Sequence, residues 1–196
     1  MNFSKELTTE YLGQYPDEAS RYCKTREKQI LNIEKHFSKE ISPKDRTTKP
    51  DYLTSKMLES VYNHKELERD RIQEHYNDQK QAEMMIGELL ERYIYSKGKK
   101  YGWAFTGSCI KSVDFIKKDK KGKWTTLQVK NSDNTENSSS SKVRDATTIQ
   151  KWVRRNSKKG TTLWAKFPDP ELQKQLTEKG FFEFTTNHFS DSWNTP

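Results

Sequence analysis

Three polar residues near the middle of this 196-residue chain, Asp114, Gln128 and Lys130, bring together an anionic oxygen, a neutral oxygen and a cation. Thirteen residues lie between Asp114 and Gln128, and only Val129 separates Gln128 from Lys130. Metal-assisted phosphodiester hydrolysis asks for such a set. A carboxylate holds Mg²⁺, a second side-chain oxygen and an intervening backbone carbonyl add to the oxygen shell, and an ammonium sits beside the attacking water or the charge growing on phosphorus. Mg²⁺ keeps several waters, so few protein ligands suffice.

These residues can meet only if strands carry them. Residues 103–106, 111–118 and 123–131 show a period near two, and Asp119-Lys120-Lys121-Gly122 has the composition of a hairpin turn between the last two. Alternation sends Leu127 and Val129 to one face and Thr126, Gln128 and Lys130 to the other. On the preceding strand, Val113 and Phe115 oppose Ser112, Asp114 and Ile116. Pairing the two strands therefore sets Asp114 beside Gln128 and Lys130.

Ahead of the strands the chain reads as helices. Apolar residues recur at helical intervals within 17–40, residues 42–50 break the pattern with two prolines, and a second helix covers 51–61. Asn63 is a suitable N-cap for a long helix over 64–96 that ends at Gly98. Its second half carries the stripe Met85, Ile86, Leu89, Leu90, Tyr93 and Ile94, which marks it as the part that enters the core. After the hairpin, 131–142 is a polar loop. A basic helix over 145–156, a strand near 162–167, a proline-started helix over 169–179 and an aromatic strand over 181–184 complete the expectation. The length suits one domain, 1–196, with 1–80 as a helical region for dimerisation or for embracing DNA and 81–196 as the core.

Charge is placed unevenly. Residues 1–80 carry 15 Lys and Arg against 15 Asp and Glu, whereas 97–159 carry 17 against 5. So local a surplus is the footprint of a polyanion-binding face. Cys23 and Cys109 have no CxxC spacing, the four histidines have no HxxxH or HExxH spacing, and no apolar run is long enough to span a membrane. A disulfide framework, a structural zinc and a histidine-based nuclease motif are not expected, nor is a membrane partner. A reducing cytoplasm fits.

The run Ser112-Val113-Asp114-Phe115-Ile116, followed by Gln128-Val129-Lys130, resembles the PD-(D/E)xK nuclease superfamily over residues 84–156. Val113 stands where that motif has Pro, and Gln128 stands where it has Asp or Glu, a minority variant found among restriction endonucleases. The resemblance implies an α/β (α+β) fold: a central mixed β-sheet flanked by helices, a restriction-endonuclease-like core behind an N-terminal helical region. It also implies a further acid on the helix ahead of the hairpin. Gly87-Glu88-Leu89-Leu90-Glu91 resembles that element, with Glu88 preferred to Glu91 because the family's acid opens such a stretch. The implied catalytic set is Asp114, Gln128, Lys130 and Glu88. The implied Mg²⁺ ligands are Asp114, Gln128, the Val129 carbonyl and Glu88.

The segment from Asn131 to Asp145 is similar to the corresponding run in Type II restriction endonucleases of the SinI-like group. Physically, Asn131, Ser132, Asn134 and Asn137, then Ser139, Ser140, Ser141, Lys142 and Arg144, offer short donors and acceptors to base edges and phosphates. Gln150, Lys151, Arg154 and Arg155 extend the set, with Arg suited to guanine, Gln to adenine and Lys to phosphate. The implied function is that of a Type II restriction endonuclease, a homodimer cutting both strands of double-stranded DNA with Mg²⁺ in a prokaryotic cytoplasm. Two alternatives stay open. One is a structure-specific repair or recombination nuclease; the other is a DNA-binding protein in which Gln128 records a lost metal site.

Overall fold

The computed structural model describes residues 3–23, 25–42, 51–133 and 149–189. They fall into two compact units, one of residues 1–40 and 89–196 and the other of residues 41–88. Among the described residues there are six α-helices and one four-stranded sheet.

In the first unit, β1 (Trp103–Ile110), β2 (Val113–Lys118) and β3 (Trp124–Ser132) form an antiparallel meander. β4 (Gln150–Arg155) adds to β3 in parallel, so the sheet is mixed, in the order β1-β2-β3-β4. The expected α+β architecture is the observed one. A two-residue connection, Lys111-Ser112, joins β1 to β2 and sets Ile110 opposite Val113; Ser112 takes the left-handed conformation it requires, φ 57°. Asp114 is thereby placed two residues beyond a tight turn.

Helices cover both faces of the sheet. α1 (Phe3–Gln14) buries Tyr11 and Leu12 with Ala104 and Ile116, and Tyr11 meets Trp124 edge-on at 5.2 Å. α2 (Arg26–Ser38), capped by the Thr25 side chain, adds Ile33 to the same core. α4 (Glu66–Gly98) contributes its residues from Leu89 onward to this unit, and Leu89, Leu90, Tyr93 and Ile94 are fully buried there. Tyr93 meets Trp164 edge-on and Phe181 at a tilt, and Trp164 lies tilted against Trp152 of β4, so an aromatic cluster packs behind β4. The stripe read from the sequence is thus the buried face, from Leu89 on, and Gly98 does end the helix.

Several downstream expectations are corrected. Residues 150–155 form a strand and not part of a basic helix: the sequence Gln-Lys-Trp-Val-Arg-Arg is too short to declare a period, and the backbone partners come from β3. Near 162–167 there is a short turn of 3₁₀ helix at Trp164–Lys166, with only Thr162 bridging to Arg155. The proline-started helix is a single turn, α5 (Pro170–Gln173). The aromatic run expected as a strand lies in α6 (Glu178–His188), started by Thr177, whose hydroxyl accepts from the Gly180 N–H at 3.0 Å.

Asp169 holds α5 to the sheet. Its carboxylate accepts from Trp103 Nε1 at 2.8 Å, from Lys117 Nζ at 2.6 Å and from the N–H groups of Glu171 and Leu172 at 3.0 Å each. Burial pushes its pKa up, but these donors hold it below the ordinary carboxylate value. Its stabilising contribution is therefore complete above the ordinary carboxylate pKa and is lost as pH falls through the lowered folded value. Asp169→Ala strands several buried donors, so we expect a loss of about 2–4 kcal/mol at neutral pH, read by urea unfolding, with a smaller difference in acid. Equal midpoints at neutral pH would refute it.

In the second unit, α3 (Tyr52–Tyr62) starts at Asp51, whose side chain accepts from the Thr54 N–H, and none of its residues is buried. Asn63, expected to start the next helix, instead ends this one in the left-handed conformation, φ 57°, which a short polar side chain tolerates. The residues of α4 up to Glu88 complete the unit. No helix among the described residues is long and apolar enough to cross a membrane.

Candidate active site

The site begins where the β2–β3 ladder stops. Its paired residues run from Lys118 opposite Trp124 to Phe115 opposite Leu127. One step further, Asp114 faces Gln128 on a shared side of the sheet. There a side chain takes over from the main chain: the Val129 N–H donates to Asp114 Oδ2 at 2.8 Å. The carboxylate is thereby clamped against β3 between Gln128 and Lys130.

Burial pushes the Asp114 carboxyl up to about 6, while the Val129 N–H and the Lys130 charge act the other way. Lys130 is half-buried, and its charge is felt at Asp114. Gln128 is only 6% exposed, and Val129 only 5%. A carboxylate whose ionisation is opposed by its surroundings, next to a buried amide oxygen and a strand carbonyl, is an all-oxygen donor set. Such a set fits a small hard divalent cation better than a soft one. Among the described residues no three His, Cys, Asp or Glu side chains cluster to hold a metal.

The helix acids fall in different units. Glu88 belongs to the second, half-buried beside Ser42, Gln81, Met84 and Met85 in a small cleft. Glu91 belongs to the first and lies 3.7 Å from His36 Nε2.

The parallel register of β4 sorts the residues proposed to meet DNA. Lys151 lies beside Gln128, Val153 beside Lys130 and Arg155 beside Ser132. Lys151, Arg155 and Ser132 therefore share the face of Asp114, Gln128 and Lys130. Gln150 and Arg154 alternate to the other face, as does Asn131. Arg154 is buried there: its Nε donates to Asn131 Oδ1 at 2.9 Å, its Nη1 to Glu178 Oε1 at 2.5 Å, and its guanidinium sits 5.2 Å from the Phe181 ring centroid. Arg154 ties β4 to α6. Asn134, Asn137, Ser139, Ser140, Ser141, Lys142 and Arg144 lie outside the described residues.

One local arrangement had no counterpart in the sequence reading. Asp133, just past the end of β3, accepts from the Ser157 N–H at 2.8 Å and from Asn156 Nδ2 at 3.0 Å. The available signal was Asn156-Ser157-Lys158-Lys159-Gly160, a turn composition directly after Arg154-Arg155.

Comparison with known proteins gives consistent matches. The model of the SinI restriction endonuclease family matches residues 9–191. The chain is 45% identical over 148 residues to the Type II restriction enzyme Eco47I of Escherichia coli, covering 74% of this chain and 64% of that enzyme. It is 36% identical over 198 residues to the Type II restriction enzyme SinI of Salmonella infantis, covering 93% of this chain and 85% of that one. The alignment with Eco47I thus spans just under two thirds of that enzyme's length.

Proposed function

The chain belongs to the SinI restriction endonuclease family, a family of Type II restriction enzymes, and from that premise we propose that it cuts both strands of double-stranded DNA at a specific sequence with Mg²⁺. The observation that carries the site assignment is the register that sets Asp114 across from Gln128, with the Lys130 charge acting on the carboxylate. Asp114, the Gln128 amide oxygen and the Val129 carbonyl are the proposed ligands. When bound, Mg²⁺ supplies charge neutralisation at the phosphate and a more acidic water.

The chain's own groups do the rest. Asp114 anchors the cation side of the site, and its bond from the Val129 N–H keeps the carboxylate oriented before substrate arrives. Lys130 orients the attacking water and stabilises the negative charge that grows on the phosphate oxygens. The water oxygen bonds to phosphorus, the bond to the 3′ oxygen breaks, and that oxygen takes up a proton. A 5′-phosphate and a 3′-hydroxyl result. Lys151, Arg155 and Ser132, on the same face, are proposed to contact the duplex, as are the polar residues from Asn134 to Arg144.

We propose that two copies act together, in the cytoplasm of a prokaryotic cell. Two scissile phosphates related by two-fold symmetry call for two sites. α3 exposes Leu53 and Met57 at 70% and 58%, with Val61 one turn on at 59%, an apolar stripe that a second copy can cover.

Incubation with plasmid and phage DNA in Mg²⁺ tests the proposal. Discrete, reproducible fragments with ligatable 5′-phosphate ends are expected, and chelation of the metal should stop cutting. Nicking confined to branched or mismatched DNA would favour a structure-specific nuclease. A salt-sensitive gel shift without cleavage in Mg²⁺ would mean that Gln128 marks an inactive site.

A further inference from the structure

We propose that the turn over residues 156–161 grips the phosphate backbone of the duplex beside the scissile bond, through Lys158 and Lys159. The inference rests on the DNA substrate proposed above and assigns a contact to residues outside the catalytic set. The turn is held by five hydrogen bonds. Two are main-chain: the Asn156 N–H donates to the Thr161 carbonyl and the Gly160 N–H to the Asn156 carbonyl, each at 2.9 Å. Three use side chains: the Lys159 N–H donates to Asn156 Oδ1 at 2.8 Å, and Asp133 takes the Ser157 N–H and Asn156 Nδ2. Gly160 supplies the left-handed residue, φ 68°, where an L side chain would be strained. The backbone is fixed, and Lys158 and Lys159 stand exposed on it.

Position gives the turn its meaning. β3 and β4 run parallel and finish together, Ser132 beside Arg155, so the turn that follows β4 lies at the Lys130 end of the sheet. Asp133 is three residues past Lys130, about 10 Å at the strand rise of about 3.3 Å per residue. A duplex strand advances about 3.4 Å along its axis per phosphate, so the turn can reach a phosphate two or three positions from the one at Lys130. Arg155 and Lys151 continue the positive charge on the same face.

The β2–β3 turn is a built-in control. It is fixed in the same manner, with Asp119 Oδ1 accepting from the N–H groups of Lys121 and Lys123 at 2.8 Å, and it also exposes two lysines, Lys120 and Lys121. It sits at the opposite end of β3, where Lys118 is already paired with Glu10. The two turns share a construction and differ in place.

The test is the salt dependence of binding by the full-length protein in Ca²⁺, read as fluorescence anisotropy of a labelled duplex of arbitrary sequence. Phosphate contacts carry no base information, so no recognition site is needed. Each phosphate contact contributes about 0.9 to the slope of log K against log salt. Lys158→Ala/Lys159→Ala should lower the slope by about 1.8 and weaken binding roughly tenfold, whereas Lys158→Arg/Lys159→Arg should keep it. Lys120→Ala/Lys121→Ala should leave the slope as in the wild type. An unchanged slope for the 158/159 pair, or an equal fall for both alanine pairs, would overturn the assignment. A wild-type protein without salt-dependent binding would instead sink the DNA substrate itself.

Discussion

Lys130→Ala is expected to slow cleavage roughly a thousandfold at saturating Mg²⁺, while binding of uncut DNA in Ca²⁺ changes only a few-fold. The size follows from where the charge acts. Removing one preorganised group that stabilises transition-state charge in a shielded site costs about 10²- to 10³-fold, and Lys130 is proposed to orient the water as well. Lys130 extends from β3, half-buried, with its charge acting on Asp114. Single-turnover rates on a plasmid, with binding measured separately, divide the chemical step from affinity. If Lys130→Ala cuts as fast as the wild type, the catalytic assignment is wrong.

The second large effect has two opposite halves. Asp114→Asn should abolish cleavage, by about 10³-fold or more, and yet make the metal-free protein more stable at neutral pH. Burial raises the Asp114 pKa from the ordinary 3.8 to about 6, because the folded protein disfavours the anion. A raised carboxyl contributes its full stability below the ordinary value and loses it as pH climbs through about 6. At pH 7 the metal-free wild type therefore bears an ionisation cost on the order of 1–3 kcal/mol, which a neutral amide avoids. Asn retains an oxygen for the Val129 N–H. Melting curves in EDTA should show the variant melting several degrees higher at pH 7 and the two proteins converging near pH 4. A lower melting point for Asp114→Asn at pH 7 would refute the assigned strain. Mg²⁺ should narrow the gap from the other side, by stabilising only the protein that can bind it.

The features legible in the sequence were those decided by local periodicity. Asp114, Gln128 and Lys130 could be put on one face because Val113, Phe115, Leu127 and Val129 mark the opposite face at period two. The turn at 119–122 also carries its own chemistry. Failures came where a partner distant in sequence decides. Trp152 and Val153 are adjacent apolar residues among charges, as compatible with a helix face as with a strand, and only pairing with β3 settles the matter. Knowing that pairing moves Arg154 away from Lys151 and Arg155 and into its contacts with Asn131 and Glu178. Phe181, Phe182 and Phe184 suggested a strand by composition. Thr177, three residues before Gly180, was the overlooked cap that starts a helix. Asp133 was invisible for the same reason as β4: its partners, Asn156 and Ser157, lie 23 and 24 residues away.

β3 has an antiparallel neighbour on one edge and a parallel one on the other. The antiparallel edge is local: a short hairpin brings Asp114 to Gln128 and Lys130, with little loop entropy to overcome. The parallel edge requires a crossover, which the chain supplies between Ser132 and Gln150. The proposed catalytic hairpin and the proposed DNA-contacting residues are therefore attached to opposite sides of one strand, through connections of different length. Inheritance can treat them as separate parts. A change confined to the crossover leaves the hairpin's register as it is, so under the proposed assignment a descendant can acquire a new target and keep the same scissors.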